Sequence, residues 1–152
     1  TEKNLLDFGC GPGRFTSDLA QIINGKAIGF DPTKGLIDLC KATPNTQFTY
    51  VYNFSDSQIL FDVIWICLVL GGLSNEQLAF TVKKLEKVLA RHGLIFLIES
   101  TSKNQTKGCW KTRTVEYYQN LFHSIPLKKI GEYFDANQEI SIFAGRKKHI
   151  HI

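Results

Sequence analysis

Three glycines at alternate positions, Gly9, Gly11 and Gly13, follow an aspartate in the stretch Leu5-Leu6-Asp7-Phe8-Gly9-Cys10-Gly11-Pro12-Gly13-Arg14. Residues without a Cβ take positive φ at no steric cost and let a ligand lie against bare amides. A helix opening just after them would add unsatisfied N–H groups and a positive dipole end. Asp7 places a carboxylate in the same crevice. A second, Asp31, stands about 20 residues further on, where an acid accepts hydrogen bonds from ribose hydroxyls in nucleotide-binding folds. An aspartate before proline, as in Asp31-Pro32, is equally a plain turn former. The dinucleotide fingerprint G-x-G-x-x-G needs its third glycine where Arg14 stands, so that reading fails.

The pattern D-x-G-x-G-x-G resembles the first motif of the class I S-adenosylmethionine-dependent methyltransferases. The resemblance implies that Asp7 helps hold the methionine ammonium while Gly9, Cys10, Gly11 and Gly13 pass beneath the ligand. A carboxylate so close suits a ligand that brings an ammonium and a sulfonium, not one that brings a pyrophosphate. By the same resemblance Asp31 and Pro32 meet the ribose, and Asn53, with Ser55 and Asp56 beside it, is the candidate for the adenine. Cys67 and Leu68, at the end of a fourth strand, would face the transferred methyl and the adenine edge; Cys67 is as readily a small buried hydrophobe.

The run from Arg113 through Tyr118 to Leu121-Phe122 resembles the substrate-side helix of small-molecule members, which makes Trp110, Arg113, Tyr117 and Tyr118 candidates for touching the acceptor. Tyr118 and Phe122, four apart, fit a core stripe equally well, and Arg113 a salt bridge. The implied reaction is in-line displacement of the sulfonium methyl by an oxygen or nitrogen of a metabolite, sugar or natural product. Positioning supplies much of such a rate, with effective molarities worth roughly 7–11 kcal/mol. A base is needed only for a hydroxyl acceptor, where Glu99 or His123 could serve, and no catalytic residue is assigned. The N-P-P-Y tetrapeptide of amino-methyltransferases and a Pro-Cys nucleophile are both missing. A peptide or RNA acceptor, or a non-catalytic subunit of the same fold, are the competing readings.

The elements that must position these residues follow from periodicity. Residues 5–8 read as a buried strand. Phe15, Leu19, Ile22 and Ile23 predict an amphipathic helix over residues 13–24 with one face on a sheet. A second strand precedes Asp31, and a short helix over 33–41 carries Leu36, Leu39 and Cys40 inward with Thr33 as N-cap. Strands over 47–53, 61–70 and 94–99 follow, with a helix from the Ser74-x-x-Gln77 capping box to about residue 91 between the last two. After a helix over 114–122, strands over 126–134 and 139–147 close a hairpin. The expected fold is α/β, a doubly wound, mostly parallel seven-stranded sheet with an antiparallel C-terminal hairpin. Residues 1–147 form one domain and 148–152 a tail.

Length and a hydrophobic content of 43% fit a single core. No apolar run approaches the roughly 20 residues of a membrane span, so a soluble protein is expected. The four cysteines form no C-x-x-C pair and read as free thiols of a reducing, cytoplasmic compartment, and no spacing suits a metal. A net charge of +4 without an aromatic-interleaved basic stripe argues against nucleic acid. Members of the class usually carry helices ahead of the first strand, closing over the cofactor. Here that strand begins almost at residue 1, so the resemblance implies a preceding segment or a partner as cover.

Overall fold

The computed structural model describes residues 2–102 and 108–148. Its strands are β1 (Lys3–Phe8), β2 (Gly25–Phe30), β3 (Thr46–Thr49), β4 (Phe61–Cys67), β5 (Leu89–Ser100), β6 (Lys128–Asp135) and β7 (Gln138–Arg146). They form one sheet in the order β3-β2-β1-β4-β5-β7-β6, parallel through β5 and antiparallel at β5–β7 and β7–β6. This is the expected fold class, hairpin included.

Adjacent side chains of β1 point to opposite faces, and both faces are covered. Leu6 joins Ile64, Ile66, Ile95 and Leu97 under helix α3 (Asn75–Val88), whose Leu78, Val82 and Leu85 are buried. Leu5 joins Ala27, Leu19 and Ala20 beneath helix α1 (Thr16–Ile22). Two short helices, α2 (Lys34–Ile37) and α4 (Val115–Gln119), complete the fold. The capping box is present: Ser74 Oγ accepts from Gln77 N, and Gln77 Oε1 from Ser74 N.

Several expected boundaries move. The chain turns through residues 11–15 and α1 begins only at Thr16, so Phe15 and Ile22 lie exposed while Thr16, Leu19 and Ala20 face the sheet. Leu39 is likewise exposed, and Thr33 does not cap α2 with its side chain. Instead Thr33 N donates to Asp31 Oδ1 at 2.9 Å. β3 stops at Thr49 because Tyr52 and Phe54 turn inward, into an aromatic cluster with Phe30 and Phe61. Strand β4 stops at Cys67, where Leu68 takes φ +54°. Helix α3 passes into β5 without a loop; an irregularity there pairs Phe61 with Leu89 but Val63 with Leu94. The hairpin turns on Ala136 and Asn137, both at positive φ, the pattern that matches the twist of a two-residue connection.

Much of the basic charge near the C-terminus closes the fold. Lys147 Nζ donates to Glu86 O and Leu89 O at the end of α3, and Arg146 to His92 O. Cations at the carbonyl end of a helix are favourably placed. Among the described residues, no helix is long and apolar enough to cross a membrane. Nor does any group of three or more His, Cys, Asp or Glu there come together as a metal site. His149, His151 and the rest of the tail lie outside the described residues.

Candidate active site

Strand β1 delivers the glycine turn to the carboxyl edge of the sheet, and the turn is held from beneath. Gly9 N and Cys10 N both donate to Phe30 O, at 2.7 and 2.9 Å, and Gly13 N to Cys10 O at 3.0 Å. Gly11 N donates to Asp31 Oδ2 at 3.1 Å. Pro12 has no N–H. Every amide from Gly9 to Gly13 is therefore engaged inside the protein, which corrects the expectation of bare amides waiting for a ligand. The turn turns its donors inward and lacks the free N–H groups that cradle a pyrophosphate.

The charge around the turn is negative. Asp7 is 3% exposed, and its Oδ2 accepts the Thr16 hydroxyl at 2.6 Å. Burial, opposed by that hydrogen bond and reinforced by the negative charge of Asp31, raises the Asp7 carboxyl to about 6. A carboxylate under this strain gains from a cation beside it. Asp31 holds the turn with one oxygen and the start of α2 with the other, so the two acids are tied to one backbone unit. Cys10 is buried against this unit, and burial pushes its thiol well up, out of the reactive range.

A crevice of about 430 Å³ opens beside the turn, within the range of small-molecule sites. Four of the residues expected to touch a cofactor, Gly9, Asp31, Pro32 and Leu68, border it, together with Tyr52, Lys84 and Trp110. Tyr52 Oη is buried with no hydrogen-bond partner among the described residues, and burial pushes it up to about 12. Lys84 Nζ sits 4.8 Å above the Tyr52 ring. Asp7, Cys10, Gly11, Gly13, Asn53 and Cys67 do not border the crevice. Tyr52 stands where Asn53 was expected, because β3 ends early and the chain turns its aromatic residue inward. Burial raises the Cys67 thiol to about 11, which fits the small-hydrophobe reading of that residue.

The opposite wall is the loop after β4, and two buried charged residues shape it. Glu99, 0% exposed, accepts from Val69 N at 2.7 Å and Leu70 N at 2.5 Å through Oε1. Burial raises it to about 7, against the lowering pull of these amides and of Arg113. Arg113 donates to Leu70 O, Leu73 O and Asn75 Oδ1 at 2.8–3.0 Å. The loop seats Val69 so tightly on the turn that a Cβ at Gly9 would fall 2.9 Å from Val69 Cγ1. Trp110 packs on Gly71, where a Cβ would stand 2.7 Å from its Cζ2, and Lys111 N donates to Gly71 O.

Of the four residues expected to touch the acceptor, the structure brings Trp110 alone to the crevice. Tyr118 is fully buried in the core against Phe143, which corrects its assignment: the core stripe prevails. Arg113 is committed to the loop carbonyls, and Tyr117 lines a separate groove between α3 and α4. His123 borders that groove too, and Glu99 lies beneath the wall, so neither proposed base borders the crevice. Sequence reasoning passed over Thr16, Tyr52 and Lys84. Thr16 carried a signal, a hydroxyl nine residues after Asp7 in the first turn of the predicted helix. Nothing local pointed to Lys84, which α3 carries in from elsewhere in the chain.

The fold matches that of N-methyltransferase NodS from Bradyrhizobium japonicum, with a TM-score of 0.80 and 17% identity over 97% of this chain and 86% of that one. Magnesium protoporphyrin IX methyltransferase from Synechocystis, crystallised with bound SAH, gives a TM-score of 0.76 at 14% identity, covering 97% and 75%. An uncharacterized methyltransferase of Bacillus licheniformis is 29% identical over 106 residues, 66% of this chain and 49% of that protein. The chain thus spans about half the length of this curated relative. Residues 5–93 match the family described as methyltransferase domain, and the chain, whose glycine motif and sheet order agree with that match, belongs to this family.

Proposed function

We propose that this domain, residues 1–147, binds S-adenosylmethionine in the 430 Å³ crevice and transfers its methyl group to an oxygen or nitrogen of a small molecule. The observation that carries the reading is the polarity of the turn. Its amides are engaged internally while two carboxylates, Asp7 and Asp31, stand beside it. That arrangement favours a cation-bearing ligand and disfavours a pyrophosphate.

In this reading Asp7 supplies negative charge toward the methionine ammonium, and Asp31 and Pro32 the ribose contact. Tyr52 offers its ring, and Leu68 and Trp110 the wall nearest the acceptor. The bound donor supplies an already activated methyl, so the chain's own contribution is to hold two reactants in line and to exclude water. Similarity to the NodS and protoporphyrin enzymes supports a small-molecule acceptor. The free cysteines support a reducing, cytoplasmic setting.

Isothermal titration with S-adenosylhomocysteine tests the reading. Binding is expected, with Asp31→Ala weakening it by about tenfold, the scale of losing hydrogen bonds to a charged group. No binding by the wild-type chain, or an unchanged affinity in the variant, would overturn it.

A further inference from the structure

Two thiols meet beside the glycine turn. Cys10, inside the turn, is buried, and Cys40, just after α2, is half-buried. Both Sγ atoms lie 3.5 Å from one acceptor, Gly11 O, and the Cys10 thiol also stands close enough to donate to Cys40 Sγ. Both are free thiols. Cys10 is wedged in place, since a Cβ at Gly29 would fall 2.9 Å from its sulfur. Cys40 is held less firmly: no residue of α2 is buried, and residues 41–43 beyond it belong to no helix or strand.

We propose that Cys10 and Cys40 are a redox pair, which a low-molecular-weight disulfide such as glutathione disulfide closes into a Cys10–Cys40 bond, and that this closure weakens cofactor binding. The inference rests on the cofactor reading above and adds to it a means of regulating the site. The two sulfurs have different parts. Cys40 is the accessible one, and the Cys10 S–H donates to its thiolate, so Cys40 attacks the oxidant. Cys10, buried near Asp7 and Asp31, does not react with solvent oxidants by itself. Held against Cys40, it resolves the mixed disulfide within the chain, where proximity replaces a second encounter.

In the first step the Cys40 thiolate attacks one glutathione sulfur, the glutathione S–S bond breaks, and one glutathione thiolate leaves with the bonding electrons. In the second, Cys10 gives its proton to water and attacks the Cys40 sulfur, and the other glutathione thiolate leaves. The two cysteines lose two electrons and two protons, and glutathione disulfide becomes two glutathiones. A disulfide brings its Cβ atoms to about 3.5–4.5 Å and its sulfurs into bonding contact, closer than hydrogen-bonded thiols stand. Cys10 cannot shift, so the end of α2 is drawn onto the turn. Asp31 bridges those two parts, accepting Gly11 N at 3.1 Å and Thr33 N at 2.9 Å. Closure therefore displaces the carboxylate that the cofactor reading assigns to the ribose.

The test treats the full chain with glutathione disulfide, in a Cys109→Ser background that removes the exposed thiol, and maps the product with trypsin. Cleavage after Lys3, Arg14, Lys34 and Lys41 leaves Cys10 in residues 4–14 and Cys40 in residues 35–41. These two peptides are expected to appear linked, and to separate with dithiothreitol. A glutathione adduct that persists on Cys40, or no product at either cysteine, overturns the proposal. By titration calorimetry the oxidised chain should bind S-adenosylhomocysteine about tenfold more weakly than the reduced chain, the scale of losing a hydrogen bond to a charged group. Cys40→Ser should bind like the reduced chain and be indifferent to the oxidant. Unchanged or tighter binding after closure overturns the proposal as well. If the reduced chain itself fails to bind, the cofactor reading falls, and hydrogen exchange decides on displacement without any ligand: closure should speed exchange in residues 9–13 and 33–40, and equal or slower exchange there refutes it.

Discussion

Gly9→Ala isolates the contact that couples the glycine turn to the opposite wall. Gly9 sits at φ +79°, where an L side chain costs roughly 1–2 kcal/mol. Its new Cβ would overlap Val69, whose Cγ1 would be 2.9 Å away and Cβ 3.2 Å away. Val69 cannot move aside cheaply, because its amide is bonded to Glu99 at 2.7 Å. Overpacking of this kind adds about 1–3 kcal/mol, so Gly9→Ala should cost about 2–5 kcal/mol in total. Gly11 is the control: its φ is +54° and a Cβ there meets nothing within 4 Å, leaving only the backbone cost of about 1–2 kcal/mol. Urea denaturation of the two variants, and of Gly9→Ala combined with Val69→Ala, measures the difference. The double variant should recover the steric part, a coupling of about 1–3 kcal/mol. Equal costs at the two glycines, or strictly additive effects of Gly9→Ala and Val69→Ala, would refute the reasoning.

The Asp7 carboxyl, raised from 3.8 to about 6, makes two pH dependences of opposite sense. The fold favours its neutral form, so a stability contribution of up to about 3 kcal/mol is present below pH 3.8 and lost as pH rises through 6. A cationic ligand favours the charged form, so S-adenosylhomocysteine affinity should rise about tenfold per unit up to pH 6 and level off above it, flattening in Asp7→Asn. Titration calorimetry from pH 5 to 8 reads this directly, and a flat wild-type profile would count against Asp7 as the ammonium partner. At the other wall, Glu99→Ala leaves the Val69 and Leu70 amides buried without an acceptor and should cost about 2–4 kcal/mol in urea. Glu99→Gln, which keeps an acceptor oxygen, should cost less; equal losses would argue that the carboxylate's charge, not its hydrogen bonds, holds the loop.

Local pattern was enough for the elements. Glycine spacing, the Ser74–Gln77 capping box and the alternation around residues 135–138 each encode a short-range geometry, while the order of the strands within the sheet came only with the structure. Boundaries were less legible, since β3 and β4 stop where a tertiary partner takes over: Tyr52 and Phe54 turn into an aromatic cluster, and Leu68 bends to deliver Val69 to Glu99. The same distinction divides the candidate site.

Asp7 and the glycines are close in sequence, and Asp31 is one βαβ unit away, so their juxtaposition is written in the chain itself. Tertiary packing alone decided that Arg113 grips Leu70 and Leu73, 43 and 40 residues away, and that Tyr118 fills the core. The physical reason is that periodicity tells which side of a strand or helix is apolar. Whether a polar or aromatic side chain on that side meets a ligand, a backbone carbonyl or another ring depends on which distant element packs against it.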